Sequence, residues 1–438
     1  MTDLRAVLRK DLHPLPAGWA WRWFTDVMDI EGGTQPPAST FAAMARPGYV
    51  RLVQIRDFDS DTHLTYIPDS RKWRKCGRDD VLIARYGAAL GRICRGLDGA
   101  YNVALAKVVV TDEIKRSFAY YLLKSAYFQG PLLAMGGRSA QAGLNKDGLA
   151  VIALPVPPLP EQDAIVSILS ALDDKIDLNR RMNETLEAMA RAIFKDWFVE
   201  FGPTRAKMDA RPPYLAPDLW ALFPDRLDEE GKPEGWDLST IGSEVKVLGG
   251  STPSTTNPAY WDGTFSWATP KDLSRLSSPV LTHTERQITE QGLTQIGSGL
   301  LPSGTLLLSS RAPIGYLAIS QVPVAVNQGF IAMVCDGRLS NVFCWLWSIF
   351  NMEEIKQRAN GSTFLEISKA NFRPIPVIMP SDDLLRAFDR MVRPLHSRIA
   401  QNMHESRTLE STRDLLLPKL MSGEVRVRDA ENLLGAVA

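Results

Sequence analysis

Residues 157–207 read PPLPEQDAIVSILSALDDKIDLNRRMNETLEAMARAIFKDWFVEFGPTRAK. From residue 161 to about 201, two stripes recur every seven residues. One holds Ile165, Leu172, Asn179, Leu186 and Ile193; the other holds Leu169, Ile176, Asn183, Ala190 and Trp197. An apolar seam of this period predicts a long helix that buries one face against another helix. A polar Asn in such a seam lowers stability but fixes register and partner.

The partner is found further along the same chain. From about 382 to 421, a shift of 223 residues gives Phe388, Leu395, Asn402, Leu409 and Leu416 beside Val392, Ile399, Ser406, Arg413 and Leu420, so Asn402 answers to Asn179. Pro394 inside this second segment predicts a kink or a local break. Each helix follows a proline-punctuated apolar run, LPVPPLP at 154–160 and IPVIMP at 375–380. Proline fixes the backbone and removes a donor, so these runs read as extended connectors.

The regions before the helices repeat as well. Leu15-Pro16-Ala17-Gly18-Trp19 recurs as Lys232-Pro233-Glu234-Gly235-Trp236, and Gly32-Gly33-Thr34 as Gly249-Gly250-Ser251, at an offset of 217. Residues 80–84 with Gly91 answer to 304–308 with Gly315 at an offset of 224. Strand-like runs at 50–55, 81–84, 103–110, 305–308 and 329–334, with helical stretches at 114–128 and 342–358, indicate two mixed α+β units. The expected order is a first unit over 1–155, a long helix over 156–201, a proline-rich connection over 202–232, a second unit over 233–376, a second long helix over 377–423 and a tail over 424–438. The fold class is thus α+β: two mixed α/β domains with a pseudo-two-fold internal repeat, separated by two long antiparallel helices that form a coiled-coil spacer. The connection carries Tyr214, Leu219, Trp220, Leu222 and Phe223, too apolar to float free, so it is expected to lie against the helices.

Composition narrows the function. At 438 residues, 45% apolar and 23% charged, the chain is a folded protein of two or three compact units. The start, MTDLRAVLRKDLHPLP, has no apolar run resembling a signal peptide, and no later stretch approaches a membrane span, so no membrane partner and a cytoplasmic location are expected. Cys76, Cys94, Cys335 and Cys344 form no C-x-x-C arrangement and the five histidines lie far from them, which argues against zinc and a disulfide framework. Net charge is zero, but charge is segregated. Residues 1–155 carry 21 basic and 15 acidic side chains, whereas 161–200 carry five and nine.

The segment from 157 to 207, continuing through LFPDRL to PEGW, resembles the specificity subunits of type I restriction-modification enzymes. Pro158-Leu159-Pro160-Glu161-Gln162, the Asp173-Lys175-Ile176 stretch and Phe194-Lys195-Asp196-Trp197-Phe198 carry the resemblance, and residues 415–424 (LLLPKLMSGE) carry a looser second copy. The resemblance implies a non-catalytic subunit with two target-recognition domains, each followed by a conserved helix. It also implies double-stranded DNA, two methyltransferase subunits and restriction/translocase subunits as partners. The chain itself would hold no cofactor and no metal; S-adenosylmethionine, ATP and Mg would belong to partner subunits. A helix of about 36 residues is roughly 54 Å long, more than one turn of DNA at roughly 34–36 Å, so the paired helices are expected to act as a rigid spacer between two unlike readers of an asymmetric, bipartite site.

Base edges are read by Arg, Lys, Asn and Gln through paired hydrogen bonds, while phosphates need positive charge with looser geometry. The candidate DNA-binding residues in the first unit are Arg51, Gln54 and Arg56 on a strand-like run and Arg85, Tyr86 and Arg92 around a glycine-containing loop. Those in the second are Thr269, Lys271, Ser310, Arg311, Asn327 and Gln328. Arg71, Lys72, Arg74 and Lys75 crowd around Trp73 as the expected phosphate contact; an ordinary solvated charge run is the competing reading.

An enzyme is disfavoured. Asn257-Pro258-Ala259-Tyr260 departs from the N-P-P-[FY] tetrad of amino-methyltransferases at its third residue. Asp225, Glu230 and Lys232 stand too close together to lie on adjacent strands as a nuclease site, and there is no G-x-x-x-x-G-K-[ST] loop. The remaining alternatives are the DNA-targeting subunit of a methyltransferase-only system and a coiled-coil scaffold that binds no DNA.

Overall fold

The computed structural model describes residues 12–136, 144–361 and 365–430. It divides into two compact units, one formed by the described residues up to Asp174 together with those from Leu409 onward, the other by Lys175–Thr408. Both boundaries fall inside long helices, so each helix contributes to both units.

In the first unit, Met28–Gly32, Leu105–Val110, Leu82–Ala84 and Ile93–Cys94 form an antiparallel sheet in that order. A second sheet orders Tyr66–Pro68, Tyr49–Val53, Gly99–Tyr101 and Lys75–Cys76, with Tyr49–Val53 parallel to Gly99–Tyr101. Helices Arg116–Lys124 and Ala126–Gly136 replace the single helix expected over 114–128; the chain breaks at Ser125, whose hydroxyl donates to the Leu122 carbonyl (2.7 Å) and turns it. Phe118, Tyr121, Leu122 and Phe128 are fully buried, in one core with Ile165, Leu169 and Leu172 of the first long helix and Leu416 and Leu420 of the second.

The second unit repeats the plan. Lys246–Leu248, Phe330–Val334, Leu306–Ser309, Leu317–Ser320 and Val280–Leu281 form one sheet. Arg286–Ile288, Trp261–Ala268 and Val324–Val326 form the other, with Trp261–Ala268 parallel to Val324–Val326. The helical stretch expected over 342–358 is again two helices, Asn341–Phe350 and Met352–Gln357. Matching short ribbons close the units: Ala20–Trp23 with Ala153–Val156, and Asp237–Thr240 with Pro376–Met379.

The first long helix spans Leu159–Phe194 and passes into a π-helical turn, Lys195–Val199, before Phe201 adopts a left-handed conformation (φ 53°). Widening the last turn lets the adjacent Trp197 and Phe198 both enter the core of the second unit, where they meet Phe388 at ring-centroid distances of 5.9 and 5.0 Å. The second long helix, Asp382–Ser422, runs unbroken through Pro394, so of the expected kink or local break the break does not occur. Pro394 is exposed, while Val392 and His396 on either side of it are buried, so packing holds the helix across the missing donor.

Within the first unit, Arg413 donates to Asp173 (2.8 Å) and Arg426 to Glu161 (2.7 Å); within the second, Asn402 faces Asn179 and Asn183. In both, the two helix segments run antiparallel. Of the seam residues, Ile165, Leu169, Leu172, Asn179, Phe388, Ile399, Asn402 and Leu416 are buried; Ile176, Leu186, Ile193, Leu395 and Leu409 are half-buried. The 202–232 connection belongs to the second unit. It contains helices Gly202–Met208 and Pro217–Trp220, and Phe223 is buried 5.0 Å from Trp197.

Candidate functional site

The glycine pair that recurs in the sequence marks where loops converge. A Cβ on Gly33 would lie 2.0 Å from the Asn102 carbonyl oxygen, and one on Gly250 would lie 1.6 Å from that of Val326. Both distances are far inside contact, so only glycine lets the backbones approach. Around each pair the same hydrogen bonds are built. The Thr34 amide donates to the Tyr101 carbonyl (3.2 Å), and the Ser251 amide to Val326 (3.1 Å). The Asn102 amide donates to Val53 (3.1 Å), and the Asn327 amide to Ala268 (3.1 Å). The Arg85 amide donates to Ala104 (2.8 Å), and the Ser310 amide to Gly329 (2.8 Å). The Leu144 amide closes on the Arg85 carbonyl and the Ile367 amide on that of Ser310, both at 3.0 Å.

Side chains fasten these loops as well. Gln54 and Asp57 form a capping box at the helix Ile55–Phe58, and Thr269 and Asp272 form one at Pro270–Ser274. Each satisfies two amides that a short helix start would leave open. Asn102 Oδ1 accepts from the Ala104 amide (3.2 Å) and Asn327 Oδ1 from the Gly329 amide (2.9 Å). The two units therefore carry one loop cluster in duplicate, in which Gln54 matches Thr269, Arg85 matches Ser310, Tyr86 matches Arg311 and Asn102 matches Asn327.

Several of the sequence-predicted residues are engaged within the protein. The strand carrying Arg51 ends at Val53, so Gln54 and Arg56 lie beyond it. Arg51 donates to Asp61 (3.0 Å), and its Nε, 3.7 Å from buried Asp57, makes no hydrogen bond among the described residues. Burial pushes the Asp57 carboxyl up despite Arg51 and Arg56 nearby. Gln54 also donates to Thr65 (3.1 Å), and Arg56 reaches the His63 carbonyl at 3.5 Å and stands 3.9 Å from Asp57. Arg92 is bidentate on Asp59 (2.6 and 2.8 Å) and holds that carboxyl below its usual range. Lys271 and Arg275 share Glu285, whose carboxyl they hold down, and Gln328 accepts from Thr252 (2.7 Å).

The tip of the cluster is different. Tyr86 is 45% exposed, with the Arg85 guanidinium 5.0 Å over its ring. Arg311 has a side chain 37% exposed and meets Glu366 only at 3.5 Å. The next residue in each chain segment is left-handed, Gly87 (φ 68°) and Ala312 (φ 49°); for an alanine this costs about 1–2 kcal/mol. Ser310 is 2% exposed and its hydroxyl has no partner among the described residues.

The basic turn is anchored by Trp73, which donates to the Pro68 carbonyl (2.9 Å) and packs on Leu52, Ile67 and Ala100. Lys75 pairs with Asp69 (2.5 Å), whereas Arg71, Lys72 and Arg74 are exposed with no acidic partner among the described residues. Two cluster residues escaped the sequence reading. Asn102 could have been found from the offset that matches it to Asn327; Lys369, exposed and with its Nζ 3.2 Å from where a Gly249 Cβ would stand, carries no local signal.

The enzyme-like fragments have other uses. Asn257 accepts from the Ala259 amide and caps a short turn. Asp225 pairs with Lys207 (2.9 Å), and Lys232 bonds Asp228 and Glu230 within one turn. Among the described residues no group of three or more His, Cys, Asp or Glu could hold a metal ion, and no helix is long and apolar enough to cross a membrane.

Comparison with known proteins gives a consistent result. A family described as "Type I restriction modification DNA specificity domain" matches residues 16–188 and 233–384. The specificity subunit of the HindI type I restriction enzyme of Haemophilus influenzae is 27% identical over 325 residues, covering 64% of this chain and 70% of that one. The MjaIX specificity subunit of Methanocaldococcus jannaschii is 39% identical over 153 residues, 34% of this chain and 35% of the relative. Among solved structures, the type I restriction-modification S subunit from M. genitalium superposes with a TM-score of 0.56 at 17% identity, over 94% of this chain and 98% of that one, a likeness of fold.

Proposed function

The chain belongs to the family of type I restriction-modification DNA specificity proteins, and from that premise we propose that it reads a bipartite, asymmetric DNA site, one half with each loop cluster, and recruits methyltransferase and restriction subunits. It is the recognition component and leaves catalysis, with S-adenosylmethionine, ATP and Mg, to those partners. The observation that carries the reading is the duplicated cluster: one backbone arrangement presenting unlike side chains, Tyr86 in one copy and Arg311 in the other. Identical readers would favour a palindrome; unlike readers select two different half-sites. The exposed cations of the 71–74 turn, without an acidic partner among the described residues, supply sequence-independent attraction to phosphate.

The test is to combine the chain with adenine methyltransferase subunits and map methylated positions across a genome or a plasmid library. A split motif with two unlike halves is expected. Methylation independent of sequence, or a single uninterrupted palindrome, contradicts the reading; absence of any DNA binding returns the chain to the scaffold alternative.

A further inference from the structure

We propose that Tyr86 and Arg311 are the principal base-reading side chains, each for its own half-site, and that their loop neighbours hold the reading edge without reading it. The inference deepens the function proposed above and rests on it. It follows from asking which polar side chains in the duplicated cluster are already committed. Gln54 and Thr269 are used as caps, and Asn102 and Asn327 are used to hold the backbone of the adjoining loop. A side chain whose hydrogen bonds fasten its own loop cannot exchange them for a base edge without releasing that loop.

Of the Arg85 and Ser310 pair, Ser310 is 2% exposed and Arg85 keeps its Nε buried and donates to the Val103 carbonyl (3.4 Å), so Tyr86 and Arg311 are the exposed matched pair left over. The Tyr86 hydroxyl makes no hydrogen bond among the described residues, and the Arg311 contact to Glu366 lies at the outer limit of a hydrogen bond. Both follow a residue whose amide and carbonyl are pinned by main-chain partners, at Arg85 and at Ser310, and both precede a left-handed residue. The backbone of the tip is thus set independently of the side chain it carries, and that side chain differs between copies.

The chemistry of the two predicts different readouts. An arginine presents two parallel donors that match O6 and N7 of guanine in the major groove. The half-site of the second unit should therefore hold a required guanine opposite Arg311. A phenol offers one hydroxyl and an aromatic face, so the first unit should tolerate more substitution at the base opposite Tyr86.

The experiment is selection from duplexes randomised in both halves, using the chain with its methyltransferase subunits and the variants Arg311→Ala and Tyr86→Ala. Each variant should relax preference at one base position in one half, by roughly tenfold or more for Arg311→Ala. The other half, read by the same molecule, should stay unchanged, which shows that the chain is folded. Retention of the complete motif by both variants overturns the assignment, as does an equal loss of affinity for all sequences, the mark of a phosphate contact. A wild-type protein that selects no motif overturns the recognition function itself, a result distinct from either.

Discussion

Asn402 donates its side-chain amide to the Asn183 carbonyl at 2.8 Å, and Asn179 donates to the Ser406 hydroxyl at 3.3 Å; both donors and both acceptors are related by the same shift of 223 residues. The bonds are two copies of one contact, made by antiparallel helix segments around a local two-fold. Asn183 also donates to Ser278 (3.3 Å), and Asn179 to Glu405 (2.8 Å). A polar pair buried at this depth disfavours any register that strands it.

Asn402→Ala should therefore destabilise the second unit by about 1–3 kcal/mol, because the Asn183 carbonyl loses its donor while still buried. Asn183→Leu combined with Asn402→Leu should lose less than the sum of the two single changes. Urea unfolding of the four variants gives the coupling directly; strict additivity would mean that the pair does not interact.

His396 gives the second unit a pH dependence. Its ring is buried 5.8 Å from Trp345, its Nε2 makes no hydrogen bond among the described residues, and burial pushes its pKa down to about 4. The unfolded chain takes up a proton near pH 6.5, whereas the folded chain resists until about 4. Stability is accordingly greatest above pH 6.5 and falls between 6.5 and 4, by on the order of 3 kcal/mol. His396→Phe should flatten that slope in thermal melts; an unchanged slope would place the titration elsewhere.

Neutralising Arg71, Lys72 and Arg74 together should weaken DNA binding at every sequence and lower the dependence of log K on log salt by about 0.9 for each phosphate left without its cation. Binding isotherms at several salt concentrations report this. A loss of preference at one base position, with the slope intact, would assign the turn to reading instead.

Gly33→Ala and Gly250→Ala each force a Cβ into a backbone carbonyl, at 2.0 and 1.6 Å. Each should abolish selection of one half-site and spare the other, measured by methylation of half-site variants. Loss of both halves from one substitution would show that the loop clusters do not work separately.

Removing one seven-residue repeat from both long helices preserves the seam and shortens each by roughly 10 Å. The gap accepted between half-sites should change. An unaltered gap in the methylation map would remove the helices from any part in setting it.

Much of this architecture is legible in the chain, because helices and sheets announce themselves by period. The matched stripes ending at Trp197 and Leu420 predict two long partners, and the repeated glycine pair predicts two similar units. Individual roles at the loops are not legible in the same way. Gln54 and Thr269 look like base readers by residue type, yet Asp57 and Asp272, three residues on, make them caps. That spacing is readable as a helix start. Arg92 and Lys271 are engaged by carboxylates distant in sequence, Asp59 and Glu285, and no local pattern reveals such pairing. The apolar period at 114–128 continues past Ser125, where a side-chain hydroxyl turns the chain, so period alone joins two helices into one.

Main-chain hydrogen bonds hold the residue before each loop tip, through the Leu144 amide on Arg85 and the Ile367 amide on Ser310. Point substitution at the neighbouring Tyr86 or Arg311 therefore leaves the folding energy of its domain nearly untouched. A head built in this way can acquire a new target word one letter at a time, keeping its shape, its helices and whatever those helices carry.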